Sequence, residues 1–271
     1  MTGQQFKIKL KNGDRVYGSA VVCPSPHWPG AVQQANLDFV FLDLEHTAWE
    51  REKISLMCRL YAALGMVPIV RTPSPDPYEA SMTLAGGAVG ILAPYIETVE
   101  QVQSLVGAVK HHPVKGRKLQ QLLADKNEFE PVLKQYTEKG NQNNILLINV
   151  ESVPALENLE QLITVPGLDG VIIGPHDLSC SMGIPEDYQN PEFKKAVKSI
   201  ITTCRDNGTA VGIHFSETPQ VQIEWVQAGV NIILHSSDIS LYGKALQKDL
   251  VEIRAACGDD TSNGDGEKMI I

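Results

Sequence analysis

The side chains best suited to chemistry in this 271-residue sequence stand at the ends of short apolar runs. Asp43 and Glu45 end DFVFLDLE with His46 next to it, Arg71 closes VPIVR, Glu151 closes ILLINVE, and Asp177 lies just beyond DGVIIGP. Two carboxylates such as Glu151 and Asp177, projecting into a mouth already rich in acid, repel each other unless protonated or bridged, and a hard divalent cation is the natural bridge. Two protein ligands leave positions for water and substrate; the plainer reading is that each carboxylate caps the helix that follows. His46 has the type and place of a proton carrier, with a carboxylate or water fixing its tautomer, although a strand-end histidine is more often structural. Arg71, a permanently charged planar donor, suits an enolate or a carboxylate, or equally an ion pair with Asp43, Glu45 or Glu151.

Other reactive residue types carry weaker signals. His176, His214 and His235 fall near run ends but lack HxH or HxxxH spacing, which favours supporting or structural roles over a histidine-rich metal site. His111-His112, before Pro113, reads as surface. Cys180, in what reads as the loop SCSMG, has no base near it in the sequence and makes a weak nucleophile. The five cysteines are scattered with no CxxC, against a disulfide framework or a zinc-thiolate site and in favour of a reducing compartment.

Positioning these residues requires a particular set of elements. Eight β-branched runs recur at 16–22, 38–45, 67–71, 89–95, 145–151, 169–175, 210–215 and 231–237, most of them apolar throughout, as strands buried on both faces of a parallel sheet must be. Helical patterns lie between them at about 28–36, 49–64, 76–86, 97–110, 154–162, 191–207, 218–228 and 239–257. In 97–110, Val99, Val102, Leu105, Val106 and Val109 form one apolar stripe, and Asp76-Pro77, Thr98 with Gln101, and Thr218-Pro219 read as helix starts. Eight such pairs predict one α/β domain, a (β/α)8 barrel over 1–257, whose functional groups belong at the C-terminal ends of its strands. An open doubly wound sheet is disfavoured because no GxGxxG follows the first run. Residues 111–144 form a connection far longer than a usual barrel loop, with a helix expected around 128–138.

Composition narrows the partners. The net charge is -9 with no offsetting basic stripe, which argues against nucleic acid and anionic lipid, although KIKLKNGDR (7–15) is a small basic cluster. No apolar stretch approaches the roughly 18 residues of a membrane span, and no targeting signal is visible, so cytoplasm is expected. The acidic segment 258–271 reads as a disordered tail.

In order, LDFVFLDLEH, VPIVRTPSPDP, GAVGILAPYIET and INVESVPALENLEQLITVPGLDGVIIGPHDLSCSMG resemble the class II pyruvate-dependent aldolases of the hydroxy-oxoheptanedioate and 2-dehydro-3-deoxy-galactarate aldolase group, over about residues 14–255. The resemblance implies a TIM barrel of the phosphoenolpyruvate/pyruvate type, assembled as a homo-hexamer, a trimer of dimers. It also implies a divalent metal (Mg2+ or Mn2+, with Co2+ a further candidate) on Glu151 and Asp177. By the same resemblance His46, assisted by Asp43 and water, moves the proton, Arg71 stabilises the enolate oxygen, and backbone amides around His176 and Asp177 hold the oxo-acid carboxylate. The implied reaction joins a pyruvate enolate to an aldehyde or cleaves a 4-hydroxy-2-oxo acid, with oxaloacetate decarboxylation alongside. Three departures stand out. Asn149 replaces a longer glutamine expected to reach substrate. Ala85 stands where many members carry an aspartate that raises the basicity of the histidine. Gly116-Arg117-Lys118 replaces a glycine-x-arginine-glycine turn.

Two other functions compete with the lyase. One is an enzyme that condenses or cleaves an acyl-CoA with an oxo acid, with Lys115, Arg117 and Lys118 as a candidate phosphate site. The other is a catalytically impaired barrel that binds an oxo acid or serves as an assembly subunit, a reading that Ala85 and Asn149 keep open.

Overall fold

Eight parallel strands close on themselves in the computed structural model of the chain, which describes residues 1–124, 130–216 and 218–260. They are β1 (Val16–Val21), β2 (Phe39–Asp43), β3 (Val67–Arg71), β4 (Gly90–Ala93), β5 (Ile145–Val150), β6 (Gly170–Ile173), β7 (Ala210–Phe215) and β8 (Ile232–Ser237). Each pairs with the next, and β8 pairs with β1. The helices are α1 (Gly3–Asn12), α2 (Trp28–Gln33), α3 (Arg51–Ala63), α4 (Pro77–Gly86), α5 (Val99–Lys110), α6 (Gly116–Leu123), α7 (Pro131–Asn141), α8 (Val153–Glu157), α9 (Leu159–Ile163), α10 (Pro175–Ser181), α11 (Pro191–Asp206), α12 (Pro219–Ala228) and α13 (Asp238–Cys257). This is the (β/α)8 TIM barrel that the run pattern predicts.

Its apolar residues divide into two cores because strand side chains alternate between faces. Outward-facing Val40, Leu42, Val70, Ile91, Ile148 and Ile173 pack under the helices. Inward-facing Phe39, Phe41, Ile69, Leu92, Leu147, Ile172 and Leu234 fill the barrel. Helix α1, which the sequence reading missed by treating 7–15 as a basic cluster, closes the end at which the strands begin. Its Phe6 and Leu10 join the inner core, Phe6 edge-on to Phe39 at 5.6 Å, while its lysines face outward. Thr2 and Gln5 form a capping box at its start.

Two of the three predicted helix starts are side-chain caps: Asp76 accepts from the amides of Tyr78 and Glu79, and Thr98 with Gln101 forms a capping box. Thr218 is an N-cap without a side-chain bond. The helix expected over 154–162 is instead two short ones, α8 and α9, broken at Asn158, whose amide donates to the Glu97 carbonyl at 2.9 Å. Of the long 111–144 connection, α6 and α7 are described, so the helix lies at 131–141 rather than 128–138; residues 125–129 lie outside the described set. The SCSMG segment is no simple loop, since Ser179–Ser181 end α10. Of the acidic tail, 261–271 lie outside the described residues. No helix among the described residues is long and apolar enough to cross a membrane.

The seam between β1 and β8 is fastened by one carboxylate. Asp238, buried at the first position of α13, accepts from the backbone amides of Val22 (3.0 Å) and Cys23 (3.1 Å), just past β1. None of the other nineteen residues of α13 is buried: its first turns border the opening of the barrel, where Lys244 Nζ donates to the Ser216 carbonyl at 2.5 Å, and Tyr242, Leu246, Leu250 and Ile253 form an exposed apolar stripe.

Close strand packing depends on glycine at Gly212 in β7, where a Cβ would lie 2.6 Å from both the Ile172 side chain and the Ile232 carbonyl oxygen. Because one of those atoms is backbone, relief requires the strands to part. Gly212→Ala is expected to cost about 1–3 kcal/mol of stability through overpacking, read as a lower urea midpoint; an unchanged midpoint would show that the sheet tolerates a wider gap there.

Candidate active site

Parallel register places the first two site residues side by side. Asp43 and Arg71 end β2 and β3 and are direct partners across the ladder, so their side chains emerge on one face, neighbours in a nearly water-free place. Arg71 Nε donates to Asp43 Oδ1 at 2.8 Å and Arg71 Nη2 donates to Asp43 Oδ2, the two-pronged geometry that suits a planar guanidinium. Asp43 Oδ1 also accepts from the Glu45 amide at 3.0 Å. Burial would raise the Asp43 carboxyl, but its hydrogen bonds and the Arg71 charge outweigh that and hold it below the usual carboxylate range. Burial likewise works against the Arg71 charge and loses to Asp43, Glu45 and Glu151, so the guanidinium is the more firmly charged. Glu45 Oε2 lies 3.0 Å from Arg71 Nε, close enough for ion pairing but off the hydrogen-bond direction, which leaves that buried oxygen without a hydrogen bond.

The second cluster is built on β5. Asn149 and Glu151, two apart on an extended chain, share a face, and Asn149 Nδ2 donates to Glu151 Oε2 at 2.7 Å. The other oxygen, Oε1, accepts from the Tyr95 amide at 2.7 Å. Tyr95 reaches it because its backbone is left-handed (φ 55), and its carbonyl is tied down by Gln101 Nε2 at 3.1 Å. The Tyr95 phenol faces the Glu45 carboxylate, whose proximity is the chief reason its pKa is pushed up to about 12. Tyr95 therefore bridges the two clusters. The sequence reading passed over it as part of an apolar run, and nothing in the local pattern marks a left-handed tyrosine.

Glu151 and Asp177 converge over Gly174. A Cβ at Gly174 would lie 3.0 Å from Glu151 Oε2 and 3.9 Å from Asp177 Oδ2, so the missing side chain makes room between two carboxylates. Burial raises the Glu151 pKa, and although the bonds from Tyr95 and Asn149 oppose this, the charges of Glu45 and Asp177 add to the rise. The mouth thus holds four carboxylates, Asp43, Glu45, Glu151 and Asp177, against one guanidinium, and Asn149 Oδ1 is buried without a partner. Unneutralised oxygens of this kind suit a hard divalent cation. Among the described residues no group of three or more His, Cys, Asp or Glu is arranged to hold a metal unaided, so a cation here would take its remaining ligands from water or substrate.

The remaining candidates divide clearly. His46 is exposed at the rim and lines, with Arg71, Asn149, His176 and Asp177, a cavity of about 1140 Å3 opening from the barrel. Asp43 is close enough for the charge of His46 to act on it, but both its oxygens are committed to Arg71, so its direct partner is the arginine and not the histidine. His214 forms part of the cavity floor beside Phe41. Burial first and the Arg71 charge second push its pKa down to about 4, so it is neutral at physiological pH. Ala85 is exposed in the last turn of α4, the end leading back to the start of β4. Within one chain a side chain there stands at the opposite end of the barrel from His46, so position 85 does not touch His46 of the same chain. Cys180 does have a base beside it, His176 Nε2 at 4.0 Å, because α10 brings residues four apart together.

Comparison with known proteins places the chain in a family. The profile described as HpcH/HpaI aldolase/citrate lyase matches residues 25–244. The chain is 28% identical over 250 residues to a 2-keto-3-deoxy-L-rhamnonate aldolase of Salmonella paratyphi A, covering 92% of this chain and 93% of that one. Among solved structures it is similar to an HpcH/HpaI aldolase from Desulfitobacterium hafniense DCB-2 (TM-score 0.79, 23% identity, 92% and 96% of the two chains). It is also similar to the citrate synthase SbnG (TM-score 0.79, 24% identity, 93% and 98%). These two structural likenesses concern the fold.

The Asp43–Arg71 pair makes stability depend on acid in a defined way. A carboxyl held below its unfolded value stabilises the fold fully above the ordinary carboxylate pKa of about 4, and that contribution is lost as pH falls through the depressed folded value. Breaking a buried pair from one side costs about 3–5 kcal/mol. Asp43→Asn is therefore expected to lower the melting temperature at pH 7, with the deficit relative to wild type shrinking below pH 4; a deficit constant down to pH 2 would contradict the assignment.

Proposed function

The chain belongs to the HpcH/HpaI aldolase/citrate lyase family, and from that membership we propose that this carbon–carbon lyase is a metal-dependent aldolase that makes or cleaves a 4-hydroxy-2-oxo acid through the enolate of pyruvate. The observation that carries this reading is the convergence of the Glu151 and Asp177 carboxylates over Gly174, beside an arginine fixed by Asp43. Glu151 and Asp177 would hold Mg2+ or Mn2+. When bound, the cation would supply Lewis acidity at the oxo-acid oxygens, worth several kcal/mol.

The chain's own residues account for the rest. Arg71, already ordered by Asp43 and Glu45, presents its charge to the developing enolate oxygen with little reorganisation. His46, free at the rim, takes the proton from the methyl carbon and returns it on reversal. Tyr95 and Asn149 each donate to one Glu151 oxygen and fix that carboxylate in direction. Asn149 spends its amide group on Glu151, so a direct contact with substrate is left to its unpartnered Oδ1 as an acceptor. Phe41, Leu92, Ile172 and Leu234 make an apolar floor that keeps water from a carbanion-like centre. The aldehyde enters from the open side of the cavity.

The acyl-CoA reading receives less support. Lys115, Arg117 and Lys118 do not line the cavity, and Lys118 is paired with Glu130. The impaired-barrel reading gains nothing from position 85 within the chain, which lies away from His46. The exposed stripe on α13 supports a homo-oligomer, with the trimer of dimers as the specific expectation.

Two measurements test these proposals. Purified protein with oxaloacetate and Mn2+ is expected to release pyruvate, with at least a hundredfold loss on chelation or in Glu151→Gln; turnover indifferent to both would refute the metal assignment. For assembly, Leu246→Glu combined with Leu250→Glu is expected to reduce the mass found by light scattering while the far-ultraviolet dichroism is kept. An unchanged mass would remove α13 from the contact.

A further inference from the structure

Beside the carboxylate pair stands a second group of ligating atoms with different chemistry. Helix α10 carries His176 and Cys180 four residues apart, with Nε2 of the imidazole 4.0 Å from the thiol sulfur. On the other side of the ring, Nδ1 lies 3.6 Å from Glu186 Oε1. Both His176 and Glu186 are close to half exposed, and Cys180 is exposed. Neither the lyase proposal nor the packing uses this thiol.

We propose that Cys180 and His176 form a site for a soft divalent cation of the zinc class, separate from the carboxylate pair and on the rim of the same cavity. Three features carry the inference. With metal–sulfur and metal–nitrogen bonds of about 2.3 and 2.05 Å, a tetrahedral ion needs its sulfur and nitrogen about 3.6 Å apart. The observed 4.0 Å closes to that value by small torsions of two exposed side chains. Spacing of i, i+4 on one helix face is what lets two side chains of a helix share an ion. The carboxylate on the far nitrogen is the usual partner of a metal-bound imidazole, fixing its tautomer and orientation and raising its basicity.

Ligand type separates the two sites. Thiolate and imidazole select zinc, cadmium or cobalt, whereas Glu151 and Asp177 offer only the oxygens that suit magnesium and manganese. Two protein ligands leave open positions at the ion, which fits a reversible, occasionally occupied site. His176 lines the cavity and precedes Asp177 in the chain, so an ion bound there narrows the entrance and pulls on the turn that carries one carboxylate of the pair. The expected consequence is inhibition of the lyase by soft cations. That consequence rests on the proposed function, whereas binding itself does not.

Binding is tested without any assay of activity. The metal-free full-length protein, with excess Mg2+ to occupy carboxylates, is titrated with Co2+ while thiolate-to-cobalt charge-transfer absorption is followed. One equivalent of this absorption is expected in wild type, none in Cys180→Ser, a normal signal in Glu151→Gln, and about tenfold weaker binding in Glu186→Gln. No absorption in wild type, or an undiminished signal in Cys180→Ser, overturns the site. In the second arm Zn2+ is added to the Mn2+-supported oxaloacetate reaction. Cys180→Ser is expected to need at least ten times more Zn2+ than wild type for half inhibition; equal sensitivity overturns the inhibitory role while leaving the binding result to stand on its own measurement.

Discussion

Like charges crowded into the barrel mouth are the constraint on which the site depends. Asp43, Glu45, Glu151 and Asp177 share one Arg71, and the excess is distributed unevenly. Asp43 receives the arginine outright and is driven toward its ionised form. Glu151 receives only a backbone amide and a carboxamide, and its burial beside two other acids drives it toward the neutral form. Opposite shifts in neighbouring carboxyls mark a division of labour. One acid holds a cation of the protein, and the other is left, at a cost in stability, with only uncharged hydrogen-bond donors.

The fold was largely legible because barrel strands are apolar on both faces and stand out as unbroken runs; all eight lie within two residues of where the runs place them. Helices α1, α6 and α10 escaped. Helix α1 was hidden by its lysines, which reveal which face is solvated without showing that Phe6 and Leu10 share the other. Short α10 was hidden because seven residues hold too few turns for a periodic pattern to emerge. At the site, the strand-end residues were legible as types. Their pairing was not, since it depends on register: only the alignment of Asp43 with Arg71 decides that the carboxylate belongs to the arginine rather than to His46. Tyr95 and Gly174 carried no signal of their own. Each matters through its backbone, one by a left-handed turn that aims an amide, the other by leaving space.

The same pairing also explains why departures from family habit need not disturb the chemistry. Asn149 is shorter than the glutamine that the resemblance leads one to expect, yet its amide is well used in bracing Glu151. A change at one position can thus be absorbed as a change of partner, with the carboxylate kept in place. The neutral His214 on the floor adds polarity without charge, so it does not compete with Arg71 for anions.

Asp238 ties together two parts of the chain that lie 216 residues apart in sequence. It is the root of the last helix and also the clasp on the strand that opens the barrel. Without that carboxylate the amides of Val22 and Cys23, at the lip of the opening, lose their acceptor, and the last helix loses its tie to the first strand.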